Sequence, residues 1–541
     1  MSPSTTEWFT YVPVQLSISY TMLQLTSLPS ELLSRIVDFV ATPSKSEPNI
    51  RPRYHSPGEI EENIYKAEDG PTYSGLSYQN SRMATSPRPD IASLKKLRLV
   101  SKFFEGLCTS LLFQCVKVLP RAESANRYTQ ILESKKLNSH VRKVIFQTRH
   151  QPHMSKHGRS CYRIESEEAE DQYETPHEFF LSAMEQVADF VNLTHAELVF
   201  SVTCESPGSD IDAVETLEFR EEVLTTFFKC LVSAKKLGNL SIKNLQNITP
   251  AAIMGTATSA ADSEFKKDFE VVMERLTHLG LRIISEDCWP EPAHNLECGY
   301  MHSFFCFELQ EFWLKPIAEN LVYLRLYGDD EVYWGFFPAC NLPHFPKLRT
   351  MVLGGISICS EDQVDWILEH GDTLEELILD DAIIGVAVQI HETFVDIPTR
   401  KVVYERQDIV GRPGFGPKDR GRGRPLREHQ IWLDPTRWHH IFHCLQHDLP
   451  KLKHFAINHS DLEDHAFDVA DSLGSALEEK RYAAFNEIVW HEFEDEDPDE
   501  VLVFADWEEN EDDRIVVRRP DCDEEDWQAL EKLLAVVRRR R

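Results

Sequence analysis

The sequence lacks several patterns that identify secreted, membrane-spanning or redox-active proteins. Its 12 cysteines include no C-x-x-C pair, and its first 25 residues have no basic start followed by an apolar run. No stretch reaches the roughly 18 uninterrupted apolar residues that a transmembrane helix requires. We therefore expect reduced thiols and a protein of the cytoplasm, the nucleus or both, with no membrane contact.

The sequence also lacks the short motifs of common enzyme classes, since it contains no G-x-S-x-G elbow and no G-x-G-x-x-G turn. Residues 411–416 have the glycine spacing of a P-loop, but Pro417 stands where the phosphate-binding lysine belongs. Residues 437–449 contain four histidines opposite an apolar helical stripe, so the imidazoles are expected to face solvent. The stripe consists of Trp438, Ile441, Phe442, Leu445 and Leu449, and the histidines are His439, His440, His443 and His447. We predict no catalytic residue, no metal site and no cofactor.

Positive charge is scarce as well. The chain has 57 Lys and Arg against 89 Asp and Glu, a formal net charge of −32, which argues against a protein governed by attraction to nucleic-acid phosphates. Residues 491–526 hold 18 acidic and 3 basic side chains and are predicted to form an acidic tail. Residues 400–427 hold nine basic and three acidic side chains and are predicted to form a solvated basic loop. Because Arg422-Gly423-Arg424-Pro425 resembles an AT-hook core, local nucleic-acid binding is the alternative there.

Two apolar segments in the N-terminal part of the chain have helical spacing. Pro29 suits the first turn of a helix, because its missing N–H would be unpaired there, and Pro43 ends that helix. Residues 42–90 carry seven prolines without sustained periodicity and are predicted to be a flexible insertion. Helical spacing resumes in residues 91–119, where Gly106 is predicted to break or kink the helix. The apolar positions are Leu32, Leu33, Ile36, Val37, Phe39 and Val40, and then Leu94, Leu97, Val100, Phe104, Leu107 and Leu111.

Leu28-Pro29-x-Glu31-Leu32 with Ile36, followed by LKKLRLVSKFF at residues 94–104, resembles an F-box divided by the insertion. The resemblance implies that these helices bind a Skp-type adaptor, which links such proteins to a cullin-RING ubiquitin ligase. The residues matching the adaptor-binding positions are Leu28, Pro29, Leu32, Ile36, Leu97, Val100 and Phe104. Periodicity alone is also consistent with an ordinary helical hairpin core.

A pattern of the form L-x-x-L-x-L, with conservative replacements, recurs eight times in the rest of the chain. Its alternating final pair suits a short strand that buries one face, and the residue three positions earlier packs the approach to the strand. The repeats are Val141, Val144, Phe146; Leu193, Ala196, Leu198; Leu237, Leu240, Ile242; Leu276, Leu279, Leu281; Leu321, Leu324, Leu326; Leu348, Met351, Leu353; Leu374, Leu377, Leu379; and Leu452, Phe455, Ile457. Segments that look helical lie at 177–191, 221–236, 264–275 and 308–319.

The clearest repeat unit spans Leu348 to Leu379. Its helix is predicted to begin with a capping box formed by Ser360 and Gln363 and to end at Gly371 in a left-handed conformation. Strand, helix and strand in so short a span place the strands parallel, and repetition makes a curved α/β solenoid with a strand-lined concave face. This resembles the leucine-rich-repeat region behind many F-boxes, without its regular asparagine. A generic α/β domain is the alternative.

These patterns together predict an α plus α/β protein, in which short N-terminal F-box helices precede an irregular leucine-rich-repeat-like α/β solenoid. The predicted parts are an N-terminal extension (1–24), an F-box (25–119) split by an insertion (42–90), a repeat domain (120–490) with a basic loop (400–427), and an acidic tail with a C-terminal helix (491–541). The apolar face of that helix, which is expected to dock on the end of the repeat array, consists of Trp527, Leu530, Leu533, Leu534 and Val537.

The function implied by the resemblance is substrate recognition in an SCF-type cullin-RING ubiquitin ligase. The F-box would hold the Skp-type adaptor, and the concave face and long loops of the repeats would hold a target protein. The chain itself would carry out no bond-making. The alternative function is a scaffold or chromatin-associated protein, outside any ligase, that uses the basic loop and the acidic tail.

Overall fold

A computed structural model places the described residues in two compact units, 91–112 in the first and residue 113 onward in the second. It describes residues 91–149, 177–202, 204, 215–255, 259–284, 304–328, 342–359, 361–391, 395–396, 401–402, 424–425, 429–460, 467, 475–477, 479–485, 490–493, 501–504 and 515–541. The predicted first F-box helix, with Leu28, Pro29, Leu32 and Ile36, lies outside these residues, as do the insertion at 42–90 and most of the basic loop.

The described part of the first unit is a pair of helices, α1 (Ile91–Arg98) and α2 (Lys102–Leu112). The chain turns at residues 99–101, where the Ser101 hydroxyl accepts a hydrogen bond from the Phe104 N–H at 3.3 Å. This serine cap starts α2, which then continues through Gly106 without interruption. The prediction of a break at Gly106 is therefore wrong, because the capping serine and not the glycine sets the boundary between the two helices.

Replacing Gly106 with alanine is expected to stabilise α2, since a Cβ atom there would meet no heavy atom within 4 Å. Alanine favours a helix interior over glycine by roughly 0.5–1 kcal/mol. Hydrogen exchange of the α2 amides should slow about two- to fivefold in this variant. The same substitution at Gly354, in a strand of the second unit, is the contrasting case. Gly354→Ala is expected to destabilise that unit, because the added Cβ would collide with the Tyr327 ring. Faster exchange in Gly106→Ala would contradict this description of α2.

The second unit contains a nine-stranded sheet in which the strand order across the sheet follows the chain. Numbered along the whole chain, its strands are β1 (Cys115–Val118), β2 (Lys143–Gln147), β3 (His195–Val199), β4 (Asn239–Gln246), β5 (His278–Ile284), β6 (Tyr323–Tyr327), β7 (Thr350–Gly354), β9 (Glu376–Asp380) and β15 (His454–Asn458). All neighbouring pairs are parallel. The predicted α/β class with parallel strands is confirmed. Strand β1 is an addition, since its segment was expected to continue the helical region.

The eight L-x-x-L-x-L repeats supply the core of this sheet. Each final pair lies in one of the strands from β2 to β15, and no residue of the eight triplets is more than 4% exposed. All belong to one continuous apolar cluster. The strand periodicity of two puts the alternate residues on the opposite face, which we call the polar face.

Helices lie between the strands along the chain. They are α3 (Ala122–Glu133), α4 (Lys135–Asn138), α5 (Glu178–Glu185), α6 (Leu217–Leu231), α7 (Ala251–Met254), α8 (Ala260–Met273), a π-helical segment (Phe304–Leu314), α9 (Glu361–Leu368), α10 (Trp438–Asp448) and α11 (Asp523–Arg540), with short 3₁₀ turns at Val187–Asp189, Lys315–Ile317 and Glu479–Arg481. Helix α8 begins at a capping box in which Ser259 and Asp262 bind each other's backbone N–H. The helices predicted between repeats are present with shifted bounds, and the last of them is π-helical.

Helix α9 differs from its prediction at its C-terminal end. The predicted capping box at its start includes Ser360, which lies outside the described residues. The Gln363 side chain accepts from the Cys359 N–H at 2.7 Å and donates to the Ser357 carbonyl at 2.6 Å. Gly371 does not adopt the left-handed conformation. The backbone carbonyl of Asp448, at the end of α10, occupies the place of a Cβ atom. The glycine is therefore required by the close approach of α10.

Six further strands form a second sheet that the sequence analysis did not predict. They are β8 (Ser357–Ile358), β10 (Ile383–His391), β13 (Arg424–Pro425), β14 (His429–Leu433), β16 (Tyr482–Phe485) and β17 (Trp490–Glu492). Two strand pairs stand apart, β11 (Val395–Asp396) with β12 (Lys401–Val402) and β18 (Val501–Phe504) with β19 (Ile515–Arg518). The predicted basic loop and acidic tail therefore both contain paired strands, because backbone pairing does not depend on the net charge of a segment.

The C-terminal helix α11 packs against α10 and β15. Leu530, Leu533 and Val537 are buried, with Trp527 and Leu534 packed against the same core. Arg540 donates to the carbonyls of Leu449 and Gln446 at 2.7 and 2.9 Å, so it binds the end of α10. The predicted apolar stripe of α10 is buried and His440, His443 and His447 are exposed. His439 is the exception, since it contacts a carboxylate of α11.

Candidate binding surfaces

The helix pair of the first unit has a small apolar core. Leu94, Phe104 and Cys108 are fully buried, and the Phe103 and Phe104 rings meet edge to face with centroids 6.0 Å apart. Leu97, Leu107, Leu111 and Leu112 are partly buried against this core. Of the predicted adaptor-binding residues in this unit, Phe104 is therefore an internal residue, Leu97 is half-buried, and Val100 is exposed.

An apolar patch lies at the turn between α1 and α2. Leu99 is 86% exposed, Val100 56% and Phe103 40%, and Lys95, Lys96 and Lys102 around them are exposed as well. We call Leu99, Val100 and Phe103 the hairpin patch. An apolar cluster with a charged rim is typical of a protein-binding surface. The sequence analysis missed Leu99 and Phe103 because it considered only the positions that repeat with the helical period. These two residues are apolar but do not fit that period, and this mismatch was the available sign that they are exposed.

The polar face of the nine-stranded sheet is organised in rows that cross the strands, one residue per strand. The first row is partly exposed along its whole length from β2 to β15. By strand register it consists of Cys115, Lys143, His195, Asn239, His278, Tyr323, Thr350, Glu376 and His454. The second row begins with Lys117, Ile145, Glu197, Ser241, Gly280 and Arg325. The sequence analysis predicted no binding site from the residues of either row.

Two histidines in the first row are held by the same local device. In both, a threonine precedes the histidine: Thr194 Oγ1 lies 2.8 Å from His195 Nδ1, and Thr277 Oγ1 lies 2.9 Å from His278 Nδ1. The His278 ring stacks on Tyr323 with centroids 5.6 Å apart. Burial lowers the pKa of both imidazoles below 6.5, and at His195 Lys143 lowers it further. These two rings are therefore neutral hydrogen-bonding groups near pH 7.

Glu197 in the second row is bound by two lysines. Its carboxylate lies 2.5 Å from Lys143 Nζ and 3.1 Å from Lys243 Nζ. Burial favours the neutral acid, but the charges and hydrogen bonds of both lysines outweigh it and lower the pKa of Glu197. The group is therefore an ionised carboxylate held between two lysines.

Towards β15 the polar face is covered by Phe467. Its ring meets Tyr327 edge to face at 5.4 Å and packs with Val352, Ile378 and Ala456. Arg325 donates to the Phe467 carbonyl at 2.5 Å. The second row is therefore buried over β7, β9 and β15 and remains partly exposed only nearer to β1.

Two adjacent carboxylates are buried where β9 ends. The Tyr327 hydroxyl donates to Asp380 at 2.9 Å, and the single Ser460 hydroxyl lies 2.8 Å from a carboxylate oxygen of both Asp380 and Asp381. His459 forms an ion pair with Asp381. Burial, followed by the charge of Asp381, raises the pKa of Asp380 to about 7. Through these hydroxyl and imidazole partners, the two carboxylates connect the end of β9 to β6 and to the residues that follow β15.

One group of possible metal ligands occurs among the described residues, formed by His439, Cys522 and Asp526. The Asp526 carboxylate already accepts from the His439 N–H at 2.9 Å and the Tyr482 hydroxyl at 2.7 Å. The Arg481 Nε lies 3.2 Å from the same carboxylate. A metal ion would have to displace these donors and lie beside a guanidinium cation, so the residues fit a hydrogen-bonded clamp between α10 and α11 better than a metal site.

No model of a known protein family matches the chain, and no curated protein is similar to it. Among the helices in the described part of the chain, none has both the length and the apolar composition needed to cross a bilayer.

Proposed function

We propose that this chain is the substrate-recognition subunit of an SCF-type cullin-RING ubiquitin ligase. An F-box would bind a Skp-type adaptor, and a leucine-rich-repeat-like solenoid would bind the target protein. The observation that carries the proposal is the hairpin patch, an exposed apolar surface within the segment that resembles the second half of an F-box.

The hairpin patch suits the adaptor for energetic reasons. Leaving Leu99, Val100 and Phe103 in water forgoes about 25 cal/mol for each Å² of apolar surface that a partner would bury. Among its described residues the helix pair has three fully buried side chains, and a partner that covers this patch would add to this core and stabilise the unit. Leu97 and Phe104 would act in this interface by supporting the exposed residues.

The nine-stranded sheet supports the target-binding half of the proposal. Its parallel strands follow one another in chain order, and successive partners such as Thr350 and Glu376 are only 26 residues apart. This is the arrangement expected of stacked strand–helix repeats, which present one strand-lined face to a partner. The contribution of such a chain is to hold the target close to the recruited conjugating enzyme, with no catalytic residue of its own.

Val100→Asp is the sharpest test of the adaptor site, since Val100 is exposed and its replacement leaves the core of the helix pair intact. We expect co-purification with a Skp-type adaptor to fall at least about tenfold, because an aspartate would be buried without a partner in the interface. Val191→Asp is the matched control, since Val191 is 60% exposed in the second unit and should leave adaptor binding unchanged.

Full adaptor binding by Val100→Asp would refute the assignment of the hairpin patch. A preparation that retains the adaptor but never contains a cullin would favour the alternative function, a scaffold outside any ligase. The readout is the ratio of adaptor and cullin to the tagged chain after affinity purification, measured for parent and both variants.

A further inference from the structure

We infer that His443 and His447, on the solvent-facing side of α10, bind a divalent transition-metal ion such as Zn²⁺ between their imidazole rings. The inference goes beyond the proposed function and does not depend on it, because the pair lies in the second unit, outside the hairpin patch. It departs from the sequence-based prediction of no metal site. The sequence alone did not show which of the four histidines of α10 keep their ring nitrogens available.

The two imidazoles are positioned to share one ion. They lie four residues apart on α10, so they are neighbours on one helix face, and both are exposed. Their ring centroids are 4.5 Å apart, with the ring planes at 72°. A zinc ion bonded to one nitrogen of each ring at about 2.0–2.1 Å holds those nitrogens roughly 3.3 Å apart. Since the rings already meet, rotation about the side-chain bonds of these exposed residues is enough to bring two nitrogens to that distance.

The ring nitrogens of this pair are available to a ligand. In the described part of the chain, the His443 and His447 side chains form no hydrogen bond and no ion pair, and the only ring contact of each is with the other. His439 differs, since its Nδ1 lies 2.8 Å from the Asp526 carboxylate and its ring meets that of His440 at 4.2 Å. An ion at His443 and His447 therefore displaces no protein donor, unlike an ion at the clamp between α10 and α11.

Carboxylates of α9 and α10 act on the surface beside the pair. Cys444 follows the first of the two histidines, and burial raises the pKa of its thiol. The charges of Asp448, Asp365 and Glu361 raise that pKa further. Asp365 and Glu361 belong to α9, which packs against α10. The negative field of these carboxylates lowers the energy of a cation at this surface.

The donor set selects the class of ion. Imidazole nitrogen suits Zn²⁺, Cu²⁺ and Ni²⁺, whereas Mg²⁺ and Ca²⁺ prefer oxygen ligands. Two histidines at the same spacing on one helix face hold zinc in H-E-x-x-H enzymes. Zinc is usually tetrahedral, so two of its four positions stay open for water or for a side chain of a bound protein. We assign no catalysis to this site, since catalytic zinc centres have three protein ligands.

Protection of the imidazoles from chemical modification tests the site residue by residue. The full chain, freed of metal with EDTA and carrying no polyhistidine tag, is treated with diethyl pyrocarbonate, and the modified histidines are identified by mass spectrometry. We expect saturating Zn²⁺ to slow modification of His443 and His447 at least about fivefold, since the reactive electron pair of each ring is then bound to the ion. An excess of Mg²⁺ should give no protection. His140, a partly exposed histidine between α4 and β2, should react at an unchanged rate.

A single substitution tests whether the two rings act together. His443→Gln is expected to remove the protection of His447 at Zn²⁺ concentrations that protect the parent, because one imidazole binds the ion at least about tenfold more weakly than two. His140→Gln is the matched control and should leave the protection of both histidines unchanged.

Three results would each overturn the inference. They are full protection of His447 in His443→Gln, equal protection by Mg²⁺, and unchanged modification of the pair in the presence of Zn²⁺. The second of these would show that carboxylates and not imidazoles hold the ion. Adaptor binding by Val100→Asp is measured without added metal, so the two proposals fail independently.

Discussion

Replacing Asp526 with alanine is expected to lower the free energy of unfolding by about 3–5 kcal/mol, the cost of breaking a buried ion pair from one side. The Asp526 carboxylate is fully buried, and the Arg481 guanidinium beside it is almost so. Hydrogen bonds from Tyr482 and His439 overcome the effect of burial and hold the pKa of Asp526 below its ordinary value. Without the carboxylate, these donors and a buried cation would lose their common acceptor.

Asp523→Ala is the control for this prediction. Asp523 pairs with the same arginine, but its side chain is 57% exposed, so its loss should cost less than about 1 kcal/mol. Urea denaturation of both variants measures the difference, and limited proteolysis shows whether α11 is released from α10 first. Similar losses for Asp526→Ala and Asp523→Ala would contradict the clamp described between these helices.

The chain is also expected to lose about 3 kcal/mol of stability through one histidine as the pH falls from 6.5 to 4. His370 is fully buried, with its Nε2 accepting from the Phe345 N–H at 3.1 Å and its Nδ1 lying 2.9 Å from the Trp366 carbonyl. Burial, and then the neighbouring His344, lowers the pKa of His370 from 6.5 to about 4. Between these values the unfolded chain binds a proton that the folded chain excludes, so stability falls with falling pH.

Urea denaturation at a series of pH values tests this prediction. His370→Gln removes the titrating group, so the free energy of unfolding of the variant should depend less steeply on pH between 6.5 and 4 than that of the parent, although the variant is less stable at pH 7. His447→Gln, which removes an exposed imidazole, should keep the steepness of the parent. An unchanged pH dependence in His370→Gln would contradict the neutral, doubly bonded imidazole.

The parallel sheet could be predicted because its information is local. The pattern of each L-x-x-L-x-L repeat predicts which of its residues are buried. Leu276, Leu279 and Leu281, for example, are fully buried. The second sheet has no such local sequence pattern, because β10 pairs with β14 and β16, which are distant along the chain. Short strands in a segment dominated by charge, such as Arg424–Pro425, gain their stability from these partners, so the charge pattern alone indicated a loop.

The candidate surfaces were predictable only in part. The hairpin was located from its leucines, but which apolar residues face outward depends on the turn at residues 99–101, where Ser101 ends the helical period. Which side chains share the polar face depends on strand register, because Lys117, Lys143 and Lys243 are far apart in sequence. Asp526 gave no signal at all, since it is one acidic residue in an acidic segment and only the packing of α11 buries it.

The strand order has a consequence for how the protein assembles. Successive strands β7 and β9 pair across 26 residues, whereas β15 joins β9 across 78, with the strands β10 to β14 of other pairings in between. A threefold longer closure costs roughly 1 kcal/mol more chain entropy if the connection is still unfolded. During synthesis the sheet is therefore expected to grow one strand at a time up to β9 and then to pause. The sheet is expected to add its last strand, β15, once the intervening segment has folded. The C-terminal helix α11, which contacts β15, can pack only after that step.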